Sequence, residues 1–229
     1  MLLTDRNGVT FTFDPGAPCL ELAHTGGPGW MSVFESLHTP ADLAAFLAGY
    51  LRGEPHAGPG LRAGAGESGP DAEAAARAAG LATPVTSDDL AAALALRDAI
   101  WPVLEARIAG TPLPADAVAT INAAAAEPPE VWHITPDGQR ARRAPVPAEQ
   151  LVASFARDAV EVLADPAGAE RLRRCSGDNC FLVFVDTSRP GRRRWCSMER
   201  CGNRAKVRNF RHRSHESPTG GQRHDDDHD

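Results

Sequence analysis

Four cysteines, Cys175, Cys180, Cys196 and Cys201, carry the most specific chemistry in this 229-residue chain. They form two pairs, Cys175-SGDN-Cys180 and Cys196-SMER-Cys201, with four residues inside each pair and fifteen between them. Two close-spaced pairs, each on a tight reverse turn, bring four thiolates to about 2.3 Å from one zinc ion. The first pair contains Gly177 and Asn179, which tolerate the positive φ of a tight knuckle. Four protein thiolates leave no position for water, so the expected zinc is single and structural. Zinc-linked oxidation of the thiolates stays open as a redox switch. An HNH-type nuclease would need a base histidine in this segment, and no histidine occurs between Cys175 and Cys201.

The same region is basic. The whole chain carries −6, but residues 1–170 carry −12, residues 171–213 carry +10 and residues 214–229 carry −4. A zinc–tetrathiolate centre at about −2 would still leave the 171–213 segment near +8. Arg200, Arg204, Arg208 and Arg211 are spaced by four, four and three, which on a helix confines them to an arc of roughly 80°. Arg192, Arg193, Arg194 and Lys206 add to the same module, and Val207 and Phe210 are expected to pin the helix down. Arginine offers a planar fork to phosphate oxygens, so these eight cationic residues are the candidate nucleic-acid contacts. Pairing with the acidic N-terminal body is the competing use of the same charges. DNA is the expected partner; RNA stays open, although the module shows no clear aromatic platform for single strands.

The elements that position these residues follow from patterning. Between the pairs, FLVFVD (181–186) is strand-like and TSRPG (187–191) reads as a turn. Knuckle, hairpin and helix, in that order, describe a treble-clef-like finger over 170–213. Upstream, residues 1–165 read as a mainly helical domain with a few strands, giving an α+β chain. Val9, Phe11 and Phe13 alternate as in a strand, and Thr39-Pro40 starts a helix whose buried face is Leu43, Phe46, Leu47, Tyr50 and Leu51. Further helices are expected over 70–80, from a Ser87-Asp88-Asp89 cap with Pro102 inside, over 115–126 and over 147–165. A hairpin is expected to turn at Pro136-Asp137-Gly138. Residues 53–69 read as a loop and 217–229 as a disordered tail. Cys19, in PCLELA, reads as a core residue.

WCSMERCGNRAKVRNFRHR resembles the CGNR zinc finger, named for Cys201-Gly202-Asn203-Arg204, and RRCSGDNCFLVFVDTSRPGRRRWCSM resembles its first half. The N-terminal part is similar, more weakly, to the ABATE domain that accompanies this finger. The resemblance implies a stress-induced transcription regulator. CLELAHT resembles a family stretch L-D-x-x-N-T, with Glu21 in place of Asp and His24 in place of Asn. His24 and Thr25, beside the loop Gly26–Trp30, are therefore a candidate ligand site, weighed against a plain helix-end role.

The expected protein is a cytoplasmic, zinc-containing DNA-binding regulator. Its N-terminal domain would sense an unidentified small-molecule effector or form a homodimer. No apolar run is long enough to span a membrane, and no signal-peptide pattern opens the chain. No enzyme is expected, because no nucleophile–base set or phosphate loop assembles from residues 1–170. The alternative is a protein–protein module whose finger docks an acidic partner or its own N-terminal domain.

Overall fold

Capped helices and short strands build an α+β chain that is mainly helical. The structure, a computed structural model, describes residues 1–4, 8–54 and 70–208. Strands β1 (Leu2–Thr4) and β2 (Thr10–Thr12) pair antiparallel with Leu3 opposite Phe11. Leu3, Phe11 and Phe13 are buried, whereas Val9 is half exposed. The next helix, α1 (Pro18–Ala23), buries Cys19, Leu20, Leu22 and Ala23. Cys19 is a core residue whose backbone N–H donates to Asp158 Oδ2 at 2.7 Å, and burial pushes its thiol pKa up.

Helix starts are set by side chains that satisfy the first unpaired amides. In α2 (Pro40–Arg52), Thr39 and Asp42 form a reciprocal capping box, and Gly53 closes the helix in the left-handed region. Its inward face is Leu43, Phe46 and Leu47, with Tyr50 and Leu51 half-buried. After α3 (Pro70–Ala78), α4 (Ser87–Ala109) is capped by Thr86 with Asp89, one residue before the expected Ser87. Pro102 lies on the exposed side of α4, so the helix continues past it. The buried face of α4 includes Leu96, Arg97, Ile100, Trp101, Val103 and Leu104, while Leu90, Leu94 and Ile108 are only half-buried.

Helix α5 (Ala115–Ala126) leads to the hairpin β3 (Trp132–Ile134) and β4 (Arg140–Arg142), with Gly138 at φ 81° in its turn. The amphipathic α6 (Ala148–Ala164) then turns Leu151, Phe155, Ala159 and Leu163 inward. Helices α4, α5 and α6 pack on one another, and α1 lies against α4 and α6. A short α7 (Pro166–Arg171) runs directly into β5 (Leu172–Arg174), which pairs antiparallel with β6 (Val183–Val185).

The finger is not a satellite on a tether. Leu172, Leu182, Val183, Phe184 and the four paired cysteines belong to the same continuous core as Phe13, Leu20, Leu22 and Trp101. Val185 N–H donates to Pro15 O at 2.9 Å, and Gly16, at φ 78°, lets the two backbones meet where a Cβ would collide with the Val185 carbonyl. An ion pair joins Arg174 to Glu105 of α4. Among the described residues, no helix is long and apolar enough to cross a membrane.

Candidate metal centre and basic face

The knuckle is built by a turn with no room for a side chain at position 177. Cys180 N–H closes on Gly177 O at 3.2 Å, and Cys175 N–H reaches Leu182 O at 2.9 Å to seal the mouth of the β5–β6 pair. Asn179 takes the left-handed conformation at φ 56°. Gly177 is needed for space: a Cβ there would sit 2.7 Å from Cys201 Sγ. The knuckle is therefore the turn of the β5–β6 hairpin itself, whereas sequence order placed a hairpin after it. Cys196 sits in the bend before, and Cys201 within, a single π-helical turn, Met198–Gly202, which leads into a helical segment over 203–208.

All four cysteines are buried, and their sulfurs lie within 4.8 Å of one another. The Cys180–Cys196 and Cys196–Cys201 sulfurs are 3.7 and 3.6 Å apart. Four sulfurs tetrahedral about zinc at about 2.3 Å stand ~3.8 Å apart, so the cluster fits the ion. Donors also converge on the sulfurs, as thiolates require. Cys175 Sγ accepts from Cys196 N–H at 3.2 Å and Gly177 N–H at 3.4 Å, and Cys180 Sγ accepts from Arg200 Nη1 at 3.4 Å. Hydrogen bonds from Cys180, Cys196 and Cys201 hold the Cys175 thiol far below its ordinary range, while those with Cys175 push Cys196 up. Thiols this close share protons unevenly, and zinc would hold all four as thiolates. Its contribution is cross-linking, since the four thiolates fill its coordination sphere.

The loop between β6 and the second pair is organised by Asp186, a buried residue that sequence reasoning did not single out. Its carboxylate accepts from Ser188 Oγ–H at 2.6 Å, Ser188 N–H at 3.0 Å and Arg193 N–H at 2.8 Å. These bonds, Ser188's first, lower its pKa. The signal was available in Asp186-Thr-Ser, an acidic residue positioned to bond the backbone two residues on.

The eight candidate cations separate into groups. Arg192, Arg194, Arg204, Lys206 and Arg208 are exposed. Arg208 pairs with Asp178 of the knuckle. Arg193 is turned inward: its guanidinium covers the Phe184 ring at 4.0 Å and donates to Trp195 O at 3.1 Å and Cys196 O at 2.7 Å. Arg200 is half-buried, with its guanidinium 4.5 Å from the Phe11 ring centroid and its Nη1 on Cys180. The even stripe expected from Arg200 onward is broken because the π turn shifts Arg200 out of the register of Arg204 and Arg208. Arg211 and Phe210 lie outside the described residues. Val207 is 50% exposed, and Ala205 is the helical residue that packs inward.

His24 and Thr25 lie at the seam between body and finger, both fully buried. His24 Nδ1–H donates to Leu20 O at 2.6 Å, and Nε2 accepts Val183 N–H at 3.3 Å. Phe13 and Trp101 meet the imidazole edge-on at 4.9 and 5.2 Å. Burial lowers its pKa to about 4, which keeps it neutral. Thr25 Oγ1–H donates to Leu22 O at 2.7 Å. His24 therefore splices α1 to β6, Thr25 caps the end of α1, and neither side chain presents a surface to a ligand.

The loop after them is shaped by Trp101, whose Nε1–H is shared between Ala23 O (3.0 Å) and Gly26 O (3.2 Å). Gly26 and Gly27 have no room for side chains against Glu35 and the Trp101 ring. Glu35 is fixed by buried Arg97 at 2.8 Å. The loop so held delivers Trp30 to Phe181 of the knuckle, with ring centroids 4.9 Å apart.

A helical body fused through a common core to a small four-cysteine finger defines a zinc-finger protein. Comparison with protein-family models matches residues 171–214 to zf-CGNR, the CGNR zinc finger. Residues 16–166 match ABATE, described as "Putative stress-induced transcription regulator". The chain belongs to the ABATE family, with a CGNR zinc finger at its C-terminal side. None of the curated proteins compared matches the chain.

Proposed function

We propose that this protein is a DNA-binding transcription regulator in which the zinc-held finger contacts phosphates. The observation that carries this reading is the exposed set Arg192, Arg194, Arg204, Lys206 and Arg208 on a finger whose other side is buried in the body. Rigid mounting suits phosphate contact, because little side-chain and backbone freedom is then lost on binding. The segregation of +10 on the finger from −12 on the body orients the molecule in the field of a polyanion. A cytoplasmic, non-enzymatic role accompanies this reading, and the body is assigned sensing or dimerisation.

Titration against duplex DNA at several salt concentrations tests it. Affinity should fall with a log–log slope near −0.9 per phosphate contacted. The variant carrying Arg204→Ala, Lys206→Ala and Arg208→Ala should bind at least about tenfold more weakly and flatten the slope by up to about 2.7. Unchanged affinity and slope in that variant would remove the finger as the binding surface.

A second reading is favoured by the shared core. The finger also closes the N-terminal domain, covering Phe13 and His24 with Val183 and Phe184. If that is its whole role, duplex binding stays weak and independent of the exposed arginines. The salt titration separates the two.

A further inference from the structure

The hairpin β3–β4 stands out from the body that carries it. Its base is fixed: Glu130 N–H donates to Ser154 Oγ of α6 at 3.2 Å, and Glu130 Oε2 accepts from Arg142 at 2.7 Å. Beyond the base both strands lose cover, and Ile134, paired opposite Arg140, is 80% exposed. The antiparallel register sets Trp132, Ile134, Arg140 and Arg142 on one face of the ribbon and His133, Ala141 and Arg143 on the other.

The charges of this ribbon differ from those of the rest of the body. In an N-terminal body of net −12, three arginines fall within residues 140–143. Other described arginines of the body are already engaged: Arg52, Arg77 and Arg97 with carboxylates, Arg107 and Arg157 with backbone carbonyls. Arg142 is held by Glu130. Among the described residues, the guanidinium groups of Arg140 and Arg143 have neither an ion pair nor a hydrogen bond, and both residues are exposed. Asp137, the carboxylate of the turn, accepts from Thr135 Oγ1–H and pairs with neither. Arg140 is nonetheless positioned: its guanidinium lies 3.7 Å from the Trp132 ring centroid, with Arg142 4.4 Å from the same ring. A ring that holds the charge leaves the N–H donors open, and that planar fork is what arginine offers to phosphate.

We propose that β3–β4 is a second nucleic-acid contact, a ribbon that enters a groove of duplex DNA with Arg140 and Arg143 on phosphates. It rests on the reading above that this chain binds DNA, and it gives the body a part in that binding. The major groove admits a two-stranded ribbon. Open guanidinium groups on its two faces reach the phosphates that border the groove on either side. Ile134, near the tip, meets base edges by apolar contact.

Titration of the zinc-loaded full-length protein against a fluorescent duplex at several salt concentrations tests the ribbon, with sedimentation velocity on the same samples. The variant carrying Arg140→Gln and Arg143→Gln should bind at least about fivefold more weakly at low salt and flatten the log–log slope by up to about 1.8. Arg77→Gln, which removes a body arginine already paired with Glu73, should leave both unchanged. Zinc content and far-ultraviolet circular dichroism of each variant verify its fold. Parent-like affinity and slope in the hairpin variant overturn the proposal, and a loss in the finger variant beside it keeps the finger reading intact. A loss in the hairpin variant alone supports the ribbon and removes the finger as the binding surface. A parent that binds no duplex sinks both. If the hairpin substitutions disperse a dimer and leave duplex binding unchanged, the ribbon meets the acidic body of a second copy, and the proposal falls.

Discussion

At the scale of single residues, His24 shows how a polar group can join two parts of a chain. Its ring donates to Leu20 O and accepts from Val183 N–H, which needs the neutral tautomer with the proton on Nδ1. Protonation would place a charge in a fully buried pocket, and this desolvation lowers the pKa from 6.5 to about 4. The sign follows directly. The unfolded state takes up a proton near pH 6.5 and the folded state resists until about pH 4, so this contribution is complete above pH 6.5 and lost as pH falls through that window. By about pH 5 the loss should reach about 2 kcal/mol. Denaturant unfolding at neutral pH and near pH 5, with zinc retention verified at both, should show this drop in the parent. His24→Gln should be less stable at neutral pH and lack that part of the pH dependence. An identical slope in the variant would mean that some other group titrates.

Among the elements, the π turn Met198–Gly202 decides which arginines face outward. It places Arg200 over Phe11 with a donor on Cys180, while Arg204, a residue past the turn, is exposed. The two arginines should therefore differ in what they affect. Arg200→Gln should release zinc several-fold faster to a chromogenic chelator, because the Cys180 thiolate loses a charged donor. Arg204→Gln should keep the parent's release rate and lower duplex affinity instead. Equal release rates for both variants would contradict the assignment. Helix α2 was legible in the sequence because its Thr39-Pro40 start and a 3.6-residue apolar period agree, and α6 because its apolar period runs over four turns without a side-chain cap. The cysteine spacing likewise announced the metal cluster. The π turn was not legible, since one extra residue in a turn leaves no compositional mark. Strand β5 was missed as well: Leu172-Arg173-Arg174 is three residues in a basic run, and only pairing with β6 makes it a strand.

On the scale of the whole molecule, the boundary near Asp165-Pro166 separates charge but not core. A segment of 43 residues is too small to bury much surface alone, and metal and neighbour together supply what it lacks. In turn, the finger covers body residues that are fully buried in the intact chain: Phe13, Leu20 and His24 share one core with Val183 and Phe184. Zinc at the cysteines therefore bears on the stability of α1 and of the β1–β2 pair, although none of its ligands lies there. Chelation of the full-length protein should lower the thermal midpoint of the body by at least about 5 °C, because a ligand of the native state alone stabilises by mass action. Hydrogen exchange should localise the loosening to residues 10–25 and 172–202, with the α5–α6 contact protected longest. Parent-like protection of residues 10–25 after zinc removal would mean that body and finger fold separately. In that case Val183 would contribute nothing to the setting of His24.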